Sequence, residues 1–276
     1  MSNSHSVDNL SVQNSLLLPI VLNINPRSCY GKSKELGQII TQYSASLICI
    51  SESWSRENLP LQELVQIEGF EVVTNVKQRS GRGGKPALLV DTRQFHVIKL
   101  CPNPITVPVE VEAVWVLIKP KQTHKQNKNN YIAICSYYFV DSKTTPTQIL
   151  YDHFAETYNL LISKYGENLH FICSADSNQL NLDPILDLSP SLKQVVQIPT
   201  RLNPPATLDT VITTLSAYYN APVTKPPVEP DVEDVGKPSD HLVVLWTPSQ
   251  TDHHLEPRQY RQVSLRPMLE SKTRLD

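Results

Sequence analysis

Short apolar runs in this 276-residue chain repeatedly meet residues that can bind a cation, move a proton or contact a phosphate. "IVLNIN" closes on Asn25 and "LICISE" on Glu52, while "IAICSYY" closes on Tyr138. "FICSADSN" carries Asp176 and Asn178, and "TLDTVIT" has Asp209 at its start. In "GKPSDHLVVLW", Asp240 and His241 stand directly before a strand-like run. Taken singly, a carboxylate beside a strand is usually a turn former or a helix cap. Drawn from six places along the chain, these side chains fit one reaction. Hydrolysis of a phosphodiester needs a hard divalent cation on carboxylate oxygen. It also needs a base to take a proton from water, and polar or cationic groups on the non-bridging oxygens. The set supplies each part. The chain has no Gly-rich phosphate loop, no Cys/His zinc spacing and no Gly-x-Ser-x-Gly elbow to support a rival chemistry.

The elements that must position these residues are mostly strands. Apolar runs at "LLLPIVLN", "SLICIS", "FEVVTNV", "PALLVDT", "FHVIKL", "EAVWVLI", "YIAICSYY", "LHFICSA", "LDTVITTL" and "HLVVLW" predict strands, with Pro19 marking an edge or a bulge. Leu36, Ile39, Ile40 and Tyr43 have helical spacing. A second helix is predicted over about Pro146 to Tyr165. Thr145 is its cap, Pro146 its first residue and Gln148 its capping-box partner. Leu150, Phe154, Tyr158 and Leu161 form its buried stripe, and Gly166 ends it. Many strands and few helices predict a two-sheet α/β sandwich flanked by helices. Residues 1–15 read as a flexible leader and residues 249–276 as a polar tail or the start of a linker.

Composition narrows the partners. The 25 basic and 27 acidic residues leave a net charge of −2, so nucleic-acid affinity would have to come from local clusters. Two such clusters exist: Lys77, Arg79, Arg82 and Lys85 around Gly83-Gly84, and Lys119, Lys121, Lys125 and Lys128 with His124. The five widely spaced cysteines suit a reduced compartment, with Cys49, Cys135 and Cys173 in apolar runs as core residues. Trp54 and Trp115 likewise read as core rather than base-stacking residues. No run approaches the ~20 apolar residues of a membrane span, and no signal-peptide pattern opens the chain. An intracellular protein without membrane contact is expected.

The ordered set Asn, "SE", Tyr, "DxN", "LD" and "SDH" resembles the endonuclease/exonuclease/phosphatase superfamily. Within it, "NPRS", "ISESW", "GRGGKPALLV", "VEAVW", "PTRLNPPATLD" and "GKPSDH" are similar to the apurinic-endonuclease-like domain of non-LTR retrotransposons, over residues 16–248. The resemblance implies a four-layered sandwich of two mainly antiparallel β-sheets flanked by helices. It implies a Mg²⁺-dependent DNA endonuclease, with Mn²⁺ as a substitute ion, that nicks a target. Glu52 would be the principal metal ligand, with Asn25 positioning metal or phosphate and Asp240 assisting the metal. Asp176 would take the proton from water, with Asn178 orienting both. His241, held by Asp209, would contact the phosphate, and Tyr138 would donate to the phosphate or leaving oxygen. Lys77, Arg79, Arg82 and Lys85 would meet DNA. A reverse transcriptase in a parent polyprotein and a nuclear site of action follow from the same branch.

The departures are Ala175 where a Gly usually precedes the Asp, and the absence of a proline after Tyr138, which leaves Tyr137 as an alternative. Arg27 stands where repair enzymes often have a second acidic ligand. Other readings of the same residues are an abasic-site repair enzyme, a phosphatase for small esters, and a catalytically silent domesticated binding module.

Overall fold

The computed structural model describes residues 17–55, 60–75, 84–121, 130–140, 146–166, 169–231 and 238–249. The predicted leader lies outside the described residues, as does the predicted tail beyond Ser249. Two six-stranded sheets face each other.

The first sheet runs β13 (Val223–Lys225), β14 (Val243–Trp246), β1 (Val21–Ile24), β2 (Leu47–Ile50), β4 (Ala87–Asp91), β3 (Phe70–Thr74). The second runs β5 (Phe95–Lys99), β6 (Glu112–Pro120), β7 (Tyr131–Tyr138), β8 (Leu169–Asp176), β12 (Asp209–Thr213), β9 (Lys193–Gln194). A short hairpin, β10 (Arg201–Leu202) with β11 (Pro205–Ala206), stands apart. In the two large sheets only β1–β2 and β7–β8 pair in parallel. Helix α1 (Ser33–Gln42) follows β1, and helix α3 (Thr147–Tyr165) follows β7, so each parallel pair is closed by a helical crossover. The short helices α2 (Leu61–Leu64) and α4 (Asp183–Leu186) complete the described set.

The apolar clusters sort by strand alternation. Val21, Leu47 and Cys49 pack between the sheets with Val114, Ile134 and Ile172. Their neighbours Leu22, Ile24, Ile48 and Ile50 face outward onto Leu36, Ile39 and Ile40 of α1. On the second sheet, Trp115, Cys135, Tyr137, Phe171 and Cys173 face outward onto Leu150, Phe154, Tyr158 and Leu161 of α3. Three apolar interfaces separating helix, sheet, sheet and helix make the four-layered sandwich expected from the sequence. Strands buried on both faces read as continuous apolar runs, which is why these segments showed little alternation.

Two local expectations are corrected. Pro19 marks neither an edge nor a bulge: β1 begins at Val21 and is interior, between β14 and β2. The Pro19 carbonyl instead accepts from the Tyr219 hydroxyl at 2.8 Å. Pro146 is extended (ψ 110°), so α3 starts one residue later and Pro146 is its N-cap, without a side-chain cap. Gln148 therefore reaches forward to Asp152 Oδ1 at 2.8 Å, and Thr145 lies outside the described residues. Strand β13 was not predicted, because three residues at a sheet edge between proline-rich segments carry too little pattern to register. No helix among the described residues is long and apolar enough to cross a membrane.

Candidate active site

Strand register gathers the chemistry at one end of both sheets. In the second sheet Glu112 is opposite Tyr138, Tyr138 opposite Asp176, and Asp176 opposite Asp209. Directly opposed residues share a face, so four polar side chains from β6, β7, β8 and β12 form one row. Their strand neighbours on the same face, Ile134 and Ile172, lie between the sheets. The row therefore faces the other sheet. This register also places the two tyrosines on different faces. Tyr137 lies on the opposite face, fully buried with its ring edge-on to Phe154, while Tyr138 is on the Asp176 face.

The first sheet answers from the same end. Asn25 is the residue after β1 and Glu52 lies two residues beyond β2. One amide joins the sheets: Asn25 Nδ2 donates to Glu52 Oε1 at 2.8 Å and to Asp176 Oδ2 at 2.7 Å. Below it, Asn23 Nδ2 donates to the Ala175 carbonyl at 3.2 Å, and Ser136 Oγ to the Ile50 carbonyl at 2.8 Å. His241 Nδ1 lies 2.7 Å from Asp209 Oδ2, and His241 Nε2 is 3.9 Å from Asp176 Oδ2. Asn25, Glu52, Asp176, Asp209 and His241 are all buried. The Asn178 backbone N–H donates to Asp176 Oδ1 at 3.2 Å, while its side-chain amide turns to the Phe139 carbonyl.

Asp240 is peripheral by comparison. It is half-buried and paired with Arg27 at 3.3 Å. The arginine thus engages the carboxylate across the rim from Asn25, whose Oδ1 accepts the Arg27 backbone N–H at 2.9 Å.

Burial and crowding set the charges. Burial itself, then the Asp209 and Glu52 carboxylates, push Asp176 up to about 8, against the pull of His241 and the Asn178 N–H. Burial opposes a charged His241, but the hydrogen bond and charge of Asp209, helped by Asp176 and Asp240, raise it to about 9. The imidazole therefore holds its proton at neutral pH. Asp209 Oδ1 has no hydrogen-bond partner among the described residues.

Asp176, Asp209 and His241 offer ligand atoms within 4.8 Å of one another. Within that trio, Asp209 Oδ2 and His241 Nδ1 are already committed to each other at 2.7 Å. Glu52 adds a further hard oxygen donor beside Asp176, the two linked through the Asn25 amide, so these carboxylates could hold a divalent cation.

Several contributors were missed in the sequence. Ser239 donates to the Asn25 carbonyl and accepts the His241 N–H at 3.1 Å, tying the two strand ends together. Thr200 Oγ1 accepts the Leu208 and Asp209 N–H groups at 3.0 and 2.9 Å. Glu112 accepts the Lys85 N–H at 2.7 Å, and a Cβ on Gly84 (φ 63°) would sit inside its carboxylate. A charge opening the otherwise apolar run "EAVWVLI" was the available signal for Glu112. Trp115 and the cysteines at 49, 135 and 173 are core, as expected. Trp54 is not: it is half-buried at the rim, and its Nε1–H donates to Glu52 Oε2 at 2.8 Å.

Six described non-glycine residues have positive φ. Five of them, Arg27, Ser28, Trp54, Lys85 and Asn178, belong to the loops around this site. Backbone strain of this kind, about 1–3 kcal/mol per residue, concentrates where function holds a loop in place.

Of the basic clusters, Lys77, Arg79 and Arg82 lie outside the described residues, as do His124, Lys125 and Lys128. Lys85 directs its ammonium to the Ser55 carbonyl. Lys119 sits seven residues along β6 from Glu112, roughly 23 Å away at ~3.3 Å per residue, at the opposite end of the sheet.

Neither a sequence-family profile nor a curated protein matches the chain by sequence. Solved structures do match. The endonuclease domain of TRAS1, a telomere-specific non-LTR retrotransposon, is 16% identical with a TM-score of 0.57, covering 85% of this chain and 100% of that one. An endonuclease/exonuclease/phosphatase protein from Bacteroides vulgatus is 11% identical with a TM-score of 0.58, covering 84% and 98%. An AP endonuclease from Archaeoglobus fulgidus is 14% identical with a TM-score of 0.55, covering 84% and 99%. With two mixed sheets, helical outer layers and matches spanning nearly the whole of each relative, the chain has the fold of the endonuclease/exonuclease/phosphatase superfamily.

Proposed function

We propose that this chain is a divalent-metal-dependent phosphodiester hydrolase, and specifically an endonuclease that nicks DNA. The observation that carries the proposal is the single Asn25 amide bridging Glu52 and Asp176 opposite the Asp209–His241 pair. Glu52, with Asp240 at its rim, would hold Mg²⁺ or Mn²⁺, which supplies Lewis-acid polarisation of the phosphoryl oxygen. Asn25 fixes the spacing between the ligand and the base. Asp176 takes one proton from the attacking water as the new P–O bond forms and the bond to the sugar oxygen breaks. The Asn178 N–H aims the Asp176 carboxylate. His241, kept protonated by Asp209, offsets charge on the non-bridging oxygens. Tyr138, on the same face, donates to the phosphate or the departing oxygen. Asp176 is raised toward about 8, so the ionised base benefits from a cation at Glu52 and from alkaline pH.

A role as the target-nicking domain of a non-LTR retrotransposon, acting on nuclear DNA beside a reverse transcriptase, is supported by the retrotransposon-like motifs over residues 16–248 and by the fold likeness to TRAS1. The test is conversion of supercoiled plasmid to open circle. We expect nicking with Mg²⁺, none with EDTA, and none with well-folded Asp176→Ala. Equal nicking in EDTA sinks the mechanism. Release of phosphate from small monoesters without DNA cleavage would favour a phosphatase, and neither activity would favour a silent binding module.

A further inference from the structure

The geometry points to Trp54 as a positioning residue that fixes the Glu52 carboxylate for a divalent cation, an inference that rests on the metal-dependent reading above. Glu52 lies two residues beyond the end of β2, outside the strand ladder that fixes its neighbours. Two N–H donors instead hold one oxygen each: Asn25 Nδ2 on Oε1 and Trp54 Nε1 on Oε2, both at 2.8 Å. A carboxylate held at both oxygens has its plane fixed and its remaining lone pairs aimed. Partners of this kind orient metal ligands, and losing one typically costs 10–100-fold in metal affinity.

The way Trp54 is built supports this role over simple packing. Trp115 and Trp246 are 1% exposed, whereas Trp54 is half-buried at the rim. Its backbone has φ 53°, a conformation that a bulky side chain adopts only under constraint. The constraint is visible. The Trp54 N–H donates to the Gly84 carbonyl at 3.4 Å, the Ser53 N–H to Lys85 O at 3.3 Å and Ser53 Oγ to the same oxygen at 2.6 Å. Lys85 is in turn anchored through its N–H to Glu112. A chain of contacts therefore runs from β6 through Gly84-Lys85 to the indole and on to Glu52.

Fixing the carboxylate should matter most for an ion with strict octahedral demands, such as Mg²⁺ or Mn²⁺, and less for the more adaptable Ca²⁺. The experiment titrates Mn²⁺ into the full chain without DNA, following free Mn²⁺ by electron paramagnetic resonance, with Ca²⁺ binding measured by calorimetry. We expect W54F to bind Mn²⁺ about 10–100-fold more weakly, with a smaller loss for Ca²⁺. Glu52→Gln should bind neither at this site. Tryptophan emission should change with Mg²⁺ in the wild type and not in W54F. If W54F melts below the wild type in EDTA, the benzothienyl analogue of tryptophan at position 54 keeps the ring and removes only the N–H donor. The same loss is expected of it. Unchanged Mn²⁺ affinity in that analogue, or in a well-folded W54F, overturns the role of Trp54 while Glu52→Gln still tests the site itself. A wild type that binds no Mn²⁺, or a Glu52→Gln variant that binds it normally, overturns both this inference and the metal-dependent reading.

Discussion

The imidazole of His241 is held from both sides of its residue: Asp209 takes its Nδ1, and Ser239 takes its backbone N–H. The second ring nitrogen, Nε2, then faces Asp176 Oδ2 at 3.9 Å. If it stabilises phosphoryl charge, a folded His241→Ala should lose roughly 10²- to 10³-fold in single-turnover nicking, as when one preorganised donor is removed. Asp209→Asn should act through the same group, so the double variant should be far from additive. Additive losses would remove the pair from the mechanism. The proton also leaves a mark on stability. His241 titrates near 6.5 in the unfolded chain and at about 9 when folded, so its contribution is full below 6.5 and is lost as pH rises through about 9. Asp209→Asn removes the cause of that rise. In EDTA, the melting-temperature gap between wild type and Asp209→Asn should therefore narrow between pH 6.5 and 9. A constant gap would mean that Asp209 does not hold the proton on the ring.

At the scale of elements, α3 holds another histidine with the opposite behaviour. His153 is buried under the helix, accepts the Trp115 indole N–H at 3.1 Å, and is lowered by burial to about 4. It must be neutral to fold, so its contribution is present above 6.5 and lost as pH falls through about 4. His153→Leu should cost about 1–3 kcal/mol at pH 7 by orphaning the indole donor. Urea melts should show that cost shrinking between pH 6.5 and 4, because the variant has no imidazole to charge; an undiminished cost would refute the assignment. The α3 stripe of Leu150, Phe154, Tyr158 and Leu161 was legible in the sequence because period and burial coincide there. The start of the helix was less so: Pro146 fits both the cap and the first turn. Which tyrosine faces the site was not legible at all, since neighbours on a strand differ only by face, and face is fixed by pairing with β6 and β8. Asn25, Glu52, Asp176, Asp209 and His241 could be found because polar residues at the ends of apolar runs stand out. Trp54 could not, since an indole beside a strand end reads as core until its N–H is seen on Glu52.

Across the whole molecule, a net charge of −2 gives no general attraction to DNA, so the proposed nicking activity would need local basic contacts. The described residues that flank positions 76–83 are Asn75, which donates to the Ala113 carbonyl at 3.1 Å, and Gly84, which lies against Glu112. Both flanking residues are thus at the end of β6 where Glu112, Tyr138, Asp176 and Asp209 form their row. Lys85 is otherwise engaged, through Ser55. Lys119 and Lys121 are at or just beyond the far end of the same strand, with Lys119 lying 5.3 Å over the Tyr131 ring. Lys119 and Lys121 therefore lie at the end of the sheet away from Asn75 and Gly84. Replacing Lys77, Arg79 and Arg82 together by Gln should weaken DNA binding and flatten its log–log salt dependence by about 0.9 per lost phosphate contact. Replacing Lys119 and Lys121 should leave the slope as it is. The decisive measurement is the salt dependence of binding to one DNA duplex for both variants, with EDTA present to prevent cleavage. A flatter slope from the Lys119–Lys121 variant, or none from the other, would place DNA at the wrong end of the sandwich for Asp176 and His241 to reach it.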